Sequence, residues 1–229
     1  GRVGLMSRLL AARLAQGEGF CPYKSLLATG AILFGRGDFK QKAVALDDKT
    51  RALIGPRADE EYGRLDAKKT RLPLRRAFPH GGCYVLGCDL DTPAEIRLVA
   101  DAGPLGYRSI AAHGHADALS FTLSAAGKEL LIDPGTYAYH TRGAWRQYFR
   151  GTSAHNTVRI DGLDQSVQGG NFLWLEKANA GCSAWLSSAE KDCLEGWQDG
   201  YARLADPVRH RRRIELDKAS SAGALIEQY

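Results

Sequence analysis

The sequence predicts a mainly β protein, an antiparallel β-sandwich preceded by a short α-helical segment. Three observations carry this expectation. Residues 1 to about 70 place apolar side chains at three- and four-residue spacings, the period of an amphipathic helix. Residues 71–229 change to short β-prone runs punctuated by Gly, Pro, Asp and Ser. A length of 229 residues suits one large domain, or one domain with part of another.

In the helical segment, "VGLMSRLLAARLA" sets Arg8 and Arg13 between apolar positions, and "KSLLATGAILFG" reads as a second helix. "FKQKAVALDDKTRALIG" reads as a third, closed by Gly55-Pro56 in the usual stop order. Three such helices bury little alone and look like the end of a larger helical array. The texture changes within the basic stretch "AKKTRLPLRRAFPHGG" at residues 67–82.

The strand-like runs that follow are "CYVLGCDL", "AEIRLVADAG", "YRSIAAHGH", "ALSFTLSA", "KELLIDPG", "NTVRIDG", "FLWLEKANAGCSAWLS", "KDCLEGWQDGYARL" and "VRHRRRIEL". The final "GALIEQY" reads as one more strand beginning, so the sandwich is expected to be cut short there. In "RHRRR", charged positions alternate toward apolar Val208, Ile214 and Leu216, the pattern of an exposed strand edge. "AAGK" reads as a hairpin loop between the strands leading from His115 and into Asp133.

Composition is that of an ordinary soluble globular protein, 44% hydrophobic and 25% charged, with a net charge of +5. The mild excess of cations is compatible with a polyanionic ligand. No basic patch with interleaved aromatics or nucleic-acid motif is found, so nucleic acid is not the expected partner. No apolar run approaches the ~20 residues that span a membrane. Five cysteines at irregular spacings, with no CxxC, argue against a zinc ribbon or a disulfide framework. The sequence opens on Gly1 without a signal-like segment, and a fragment with its true N-terminus upstream is expected.

Three groups of residues are suited to chemistry. If residues 113–123 form a strand, His113, His115 and Asp117 share a face with Leu119, Phe121 and Leu123. Two imidazoles aimed one way suit a metal or a base beside a ligand, although two surface histidines at a strand end would look the same. Asp133 precedes a Pro-Gly turn, where an aspartate commonly accepts from backbone amides. Simple register places it opposite Leu119, so a metal shared with His115 requires a bend near residues 116–118. Finally, "WRQYFRGTSAHNTVRIDGLDQS" gathers Trp145, Arg146, Tyr148, Arg150, His155 and Asn156 in a loop-to-strand region, a composition suited to an acidic, hydroxyl-rich ligand.

"HGHADALSFTLSAAGKELLIDPGTYAY" and "WRQYFRGTSAHNTVRIDGLDQ" together resemble the C-terminal region of the heparinase II/III-like polysaccharide lyases. "FPHGGCYVLGCD", "VADAGPLGY" and "HRRRIEL" fit the same pattern. The joint occurrence of HxHxDxLSF, LLxDPGxYxY and AHNTVxxDGxDQ carries the resemblance over residues 78–166, and it weakens to about 216.

The resemblance implies a domain division into residues 1–70, the tail of an α/α toroid, and residues 71–229, a β-sandwich. It implies β-elimination on an acidic, uronate-containing polysaccharide of the heparan sulfate, heparin or alginate kind. His113 matches the histidine that reaches the cleft, and Tyr148 or Tyr139 matches the cleft-lining tyrosine, giving three catalytic candidates. Arg146, Arg150 and Asn156 are expected to bind substrate. His115, Asp133 and His155 match residues that hold a structural zinc ion in relatives. The family's toroid residues precede this sequence, so the isolated chain is expected to be inactive. Periplasm, cell envelope or secretion is the implied location. Two other readings stand beside this one: a non-catalytic module binding acidic polysaccharide, and a glycoside hydrolase. A hydrolase needs two opposed carboxyl groups, and Asp117, Asp133, Asp161 and Asp164 are candidates by type with no evident pairing.

Overall fold

The computed structural model describes residues 20–67, 76–107 and 109–219, together with the backbone of 224–228. The first expected helix, within residues 3–15, lies outside the described residues. The described chain separates into two compact units, one helical and ending before residue 75, one β-rich and running from there on.

In the helical unit, α1 (Pro22–Phe34) occupies the second expected helix and ends on Gly35 in the left-handed conformation. The third expected helix is two: α2 (Gly37–Ala43) and α3 (Asp48–Ile54). Val44 breaks the run at φ 71°, and Asp47 starts a new one by accepting from the Thr50 amide at 3.1 Å. A fourth helix, α4 (Ala58–Arg64), follows. Ala28, Ala31, Ala43 and Tyr62 form the small core. The Lys40 ammonium bonds the carbonyls of Tyr62 (2.7 Å) and Leu65 (2.8 Å), placing a cation at the C-terminal end of α4.

The β-rich unit is built of antiparallel sheets. One has the order β1 (Ala77–Phe78), β2 (Cys83–Cys88), β3 (Ile96–Asp101), β4 (Phe121–Ala125), β5 (Lys128–Leu131). The "AAGK" hairpin joins β4 to β5, with Ala126 and Gly127 both at positive φ, the combination a tight two-residue turn requires. β6 (Val167–Gly170) and β7 (Leu173–Glu176) make a two-stranded ribbon. The second large sheet has the order β11 (Ala224–Gln228), β10 (His210–Asp217), β9 (Lys191–Gln198), β8 (Ala180–Ser187).

Tyr84, Leu86, Leu98, Ala100 and Phe121 of the first sheet pack with Leu194, Ile214 and Leu216 of the second. This two-layer core is the expected sandwich. Between the layers, Asp192 of β9 is fully buried and accepts from the Gly87 amide of β2 (2.8 Å), Arg76 (2.8 Å) and Lys218 (2.5 Å).

Three local expectations are corrected. Residues 109–120 are turns and bends, not a strand, so pleat alternation does not set where His113 and His115 point. "GAWRQYFR" is a helix, α5 (Gly143–Arg150), and not part of a loop-to-strand run. Within "RHRRR", residues 210–213 open β10, which pairs with β9 along its length and with β11 from Arg213 on, so the run is a strand edge only in part. Its alternation is nevertheless present: His210, Arg212, Ile214 and Leu216 are buried, and Arg211 is exposed.

Candidate active site and metal group

The segment between β3 and β4 folds irregularly because backbone packs on backbone. A Cβ added at Gly114 would lie 2.9 Å from the Gly106 Cα, so neither residue tolerates a side chain. Ala111, His113 and Leu119 all adopt positive φ. This path turns consecutive polar residues to different surroundings. His113 is exposed and His115 is buried.

His113 holds φ 64°, an unusual conformation for a residue with a Cβ. Its ring meets Tyr139 and Phe172 edge-on, each at a centroid distance of 5.7 Å. Those two rings stack on each other at 5.9 Å, and the Arg146 guanidinium lies over both, 5.2 Å from Tyr139 and 5.5 Å from Phe172. Tyr148 belongs to another aromatic group, with Trp145, Phe149 and Tyr137. The structure therefore brings Tyr139 beside His113 and sets Tyr148 with a separate set of rings.

Arg146 and Arg150, one turn apart on α5, are buried at 1% and 0% exposure. Arg146 donates to the Asn171 carbonyl (2.9 Å), and Arg150 donates to the Gly170 carbonyl and lies 4.5 Å from the Trp174 ring. Burial lowers the pKa of both, that of Arg150 to about 10. Asn156 donates to the carbonyls of Phe121 (3.0 Å) and Ile132 (2.9 Å). All three side chains tie α5 and its neighbouring loops to the ribbon and the sheet, with their polar atoms turned inward.

Behind His113 lies the buried titratable group. His115 and His155 stand with ring centroids 5.2 Å apart, and ligand atoms of His115, Asp117 and His155 lie within 4.8 Å of one another. Asp133, the carboxylate expected there, instead meets Nδ1 of His155 at 2.7 Å and accepts from the Gly135 amide at 2.8 Å. The Asp-Pro-Gly turn and the histidine contact thus use the two oxygens of one side chain. The irregular path of residues 109–120 supplies the bend that simple strand register lacked.

Electrostatics fits this group to a cation. Burial, then the carboxylates of Asp101 and Asp133, push Asp117 up to about 7, against the pull of His155. Burial, with Asp133 adding to it, pushes Asp101 up to about 6. Burial and His155 push His115 down to about 3, leaving a neutral imidazole able to ligate. Burial also opposes the charged form of His155, but its bond to Asp133 outweighs that and raises its pKa. Two imidazoles and crowded, desolvated carboxylates form a donor set that could hold a metal ion, whose charge would displace the carboxyl proton.

A family profile described as "Heparinase II/III-like, C-terminal" matches residues 70–224, and the chain belongs to this family. No curated protein sequence matches. Among solved structures, a heparinase III gene product aligns with a TM-score of 0.51 at 24% identity, covering 72% of this chain and 23% of its own. The heparan sulfate lyase HepC from Pedobacter heparinus aligns with a TM-score of 0.51 at 21% identity, covering 78% of this chain and 25% of its own. The chain thus spans about a quarter of the length of these similar structures, and the likeness is one of fold. No described helix is long and apolar enough to cross a membrane.

Proposed function

We propose that the protein containing this chain is a polysaccharide lyase that cleaves a uronate-containing acidic polysaccharide by β-elimination, with this chain supplying one wall of the active site. Membership of the family supports the reaction class. The observation that carries the assignment of residues is His113: exposed, held at positive φ, and flanked by Tyr139 and Phe172 over a buried arginine.

In such a reaction the C5–H bond of a 4-linked uronate breaks, and its electron pair forms the C4–C5 double bond. The C4–O4 bond breaks in turn, and O4 leaves with a proton. The uronate carboxylate opposes the second negative charge developing beside it, so the enzyme must neutralise that carboxylate. His113, as a mobile proton acceptor or as a hydrogen-bond donor to the carboxylate, suits either role. Tyr139, beside it, is positioned to line the same cleft. Trp145, Tyr148 and Tyr137, all exposed, offer ring faces to a sugar chain. Arg146, Arg150 and Asn156 hold this wall from behind.

A zinc ion held by His115, His155 and Asp117, with Asp133 orienting His155, would supply fixed positive charge that braces the loops under His113. The helical unit is read as the end of an α/α toroid, and the cell envelope or periplasm as the place of work. The test uses the intact protein with alginate, heparan sulfate, heparin, hyaluronan and a polyglucuronate, following ultraviolet absorbance of the new double bond. A rise with one polymer, lost in His113→Ala, is the expected result. New reducing ends without that absorbance would mean hydrolysis and overturn the reading.

A further inference from the structure

The outward face of the second sheet carries a feature that the candidate site does not use. Along β9 and β10 the inward residues Leu194, Ile214 and Leu216 fill the core, so their neighbours Glu195, Trp197, Arg211 and Arg213 face away from it. In register, Gly181 of β8, Trp197 of β9 and Arg211 of β10 form one row across three strands. Gly181 makes this row possible. A Cβ there would come within 3.2–3.3 Å of the indole, so the glycine lets the Trp197 ring lie close against the sheet. The Arg209 guanidinium sits 5.4 Å from the same ring.

Charge on this face is unevenly distributed. Arg213 is matched by Glu195 (3.1 Å) and Glu215 (2.7 Å), and Lys191 also approaches Glu215. Arg209 and Arg211 are exposed and have no carboxylate partner among the described residues. The cations left uncompensated therefore stand beside the aromatic ring. A groove of about 590 Å³ runs over this region, lined by Ser183, Trp197, Arg209 and Arg211 among others.

We propose that this groove is a second binding surface, separate from the His113 wall, for an acidic polysaccharide. A pyranose ring offers an apolar C–H face that packs on a flat indole, and its carboxylate or sulfate groups accept paired hydrogen bonds from guanidinium. A polyanion without such a face would use the arginines but not the tryptophan. The choice of polysaccharide over nucleic acid rests on the lyase reading, since a base could also stack on Trp197. The surface would hold a long chain on the enzyme between cleavage events, raising its effective concentration at the active site.

The test is calorimetric titration of the 229-residue chain with alginate and with heparin oligosaccharides at low ionic strength. Binding that weakens about tenfold or more in Arg209→Glu/Arg211→Glu, and similarly in Trp197→Ala, is expected. Lys128→Gln, which removes an exposed cation from β5 of the other sheet, should bind as the wild type does. Arg211→Gln, with an unchanged melting temperature, separates lost contacts from lost folding. Affinity lost in His113→Ala but kept in the arginine pair would overturn the second surface and leave the lyase reading standing. Binding sensitive to Arg209 and Arg211, with no elimination by the intact protein on any polymer, would do the reverse. Tighter binding of a single-stranded oligonucleotide than of either sugar would overturn the choice of ligand.

Discussion

His113 and His115 are separated by a single glycine, yet one is exposed among aromatic rings and the other is buried against His155. In a strand they would share one face and one environment. The positive φ angles at Ala111, His113 and Leu119 and the close backbone contact at Gly106 and Gly114 separate them instead. Irregular backbone here does what a regular element cannot. It presents one imidazole outward among aromatic rings and withdraws its neighbour into a buried group.

The largest expected effect that tests this contrast is on folding. His155→Ala removes the partner of Asp133 and leaves buried carboxylates facing one another, at a cost of about 3–5 kcal/mol in denaturant unfolding at neutral pH. His113→Ala should cost no more than about 0.5 kcal/mol. Equal losses would end the distinction.

Metal addition comes next. Zinc at about a hundredfold excess over its Kd should raise stability by about 2.7 kcal/mol, followed as a shift in the unfolding midpoint. That gain should vanish in His115→Ala and persist in His113→Ala.

A pH series sharpens the comparison with a third histidine. Burial, then Arg212, lowers the pKa of His210 to about 4, below the ordinary 6.5. The folded state holds it neutral while the unfolded chain takes up a proton. Its contribution is therefore intact above 6.5 and lost as pH falls toward 4, by about 2–3 kcal/mol. His210→Gln should flatten that acid limb without touching zinc binding, and an unchanged slope would remove His210 from the account.

The smallest effect is the most pointed. Glycine accepts φ 64° without strain, so His113→Gly should leave stability unchanged or raise it by up to about 1 kcal/mol while abolishing turnover. A clear destabilisation would mean that the His113 ring supports the fold.

Much of the sandwich was legible because alternation is a direct print of a two-faced strand. β2, β3, β4, β8 and β9 lie within runs that the pattern picks out, and β10 extends one residue past its own. The pattern failed where other forces decide. Residues 109–120 have strand-like composition, but backbone packing at two glycines overrides it. Helix α5 was hidden because its buried face carries Arg146 and Arg150, where a helical pattern calls for apolar side chains. Spacing alone could not gather His115, Asp133 and His155, which came together only through the family motifs. The closeness of Asp117 to the two histidines depends on a three-dimensional bend with no sequence period. The Trp197–Arg211 row did leave a signal in the alternation of "RHRRR", whose outward half is what the groove displays.

The buried carboxylate of Asp192 bears on the order in which the sandwich assembles. Gly87 and Arg76 lie 105 and 116 residues away from it along the chain. Closing so long a loop costs entropy, and an Asp192 carboxylate that stayed hydrated until both sheets were present would gain these partners only then. Docking of the two layers would then be a late event on the way to the native state. In a chevron experiment Asp192→Asn should raise the unfolding rate and leave the refolding limb almost unmoved. A slowed refolding limb would instead place this contact in the nucleus, with the sandwich closing early around a charge.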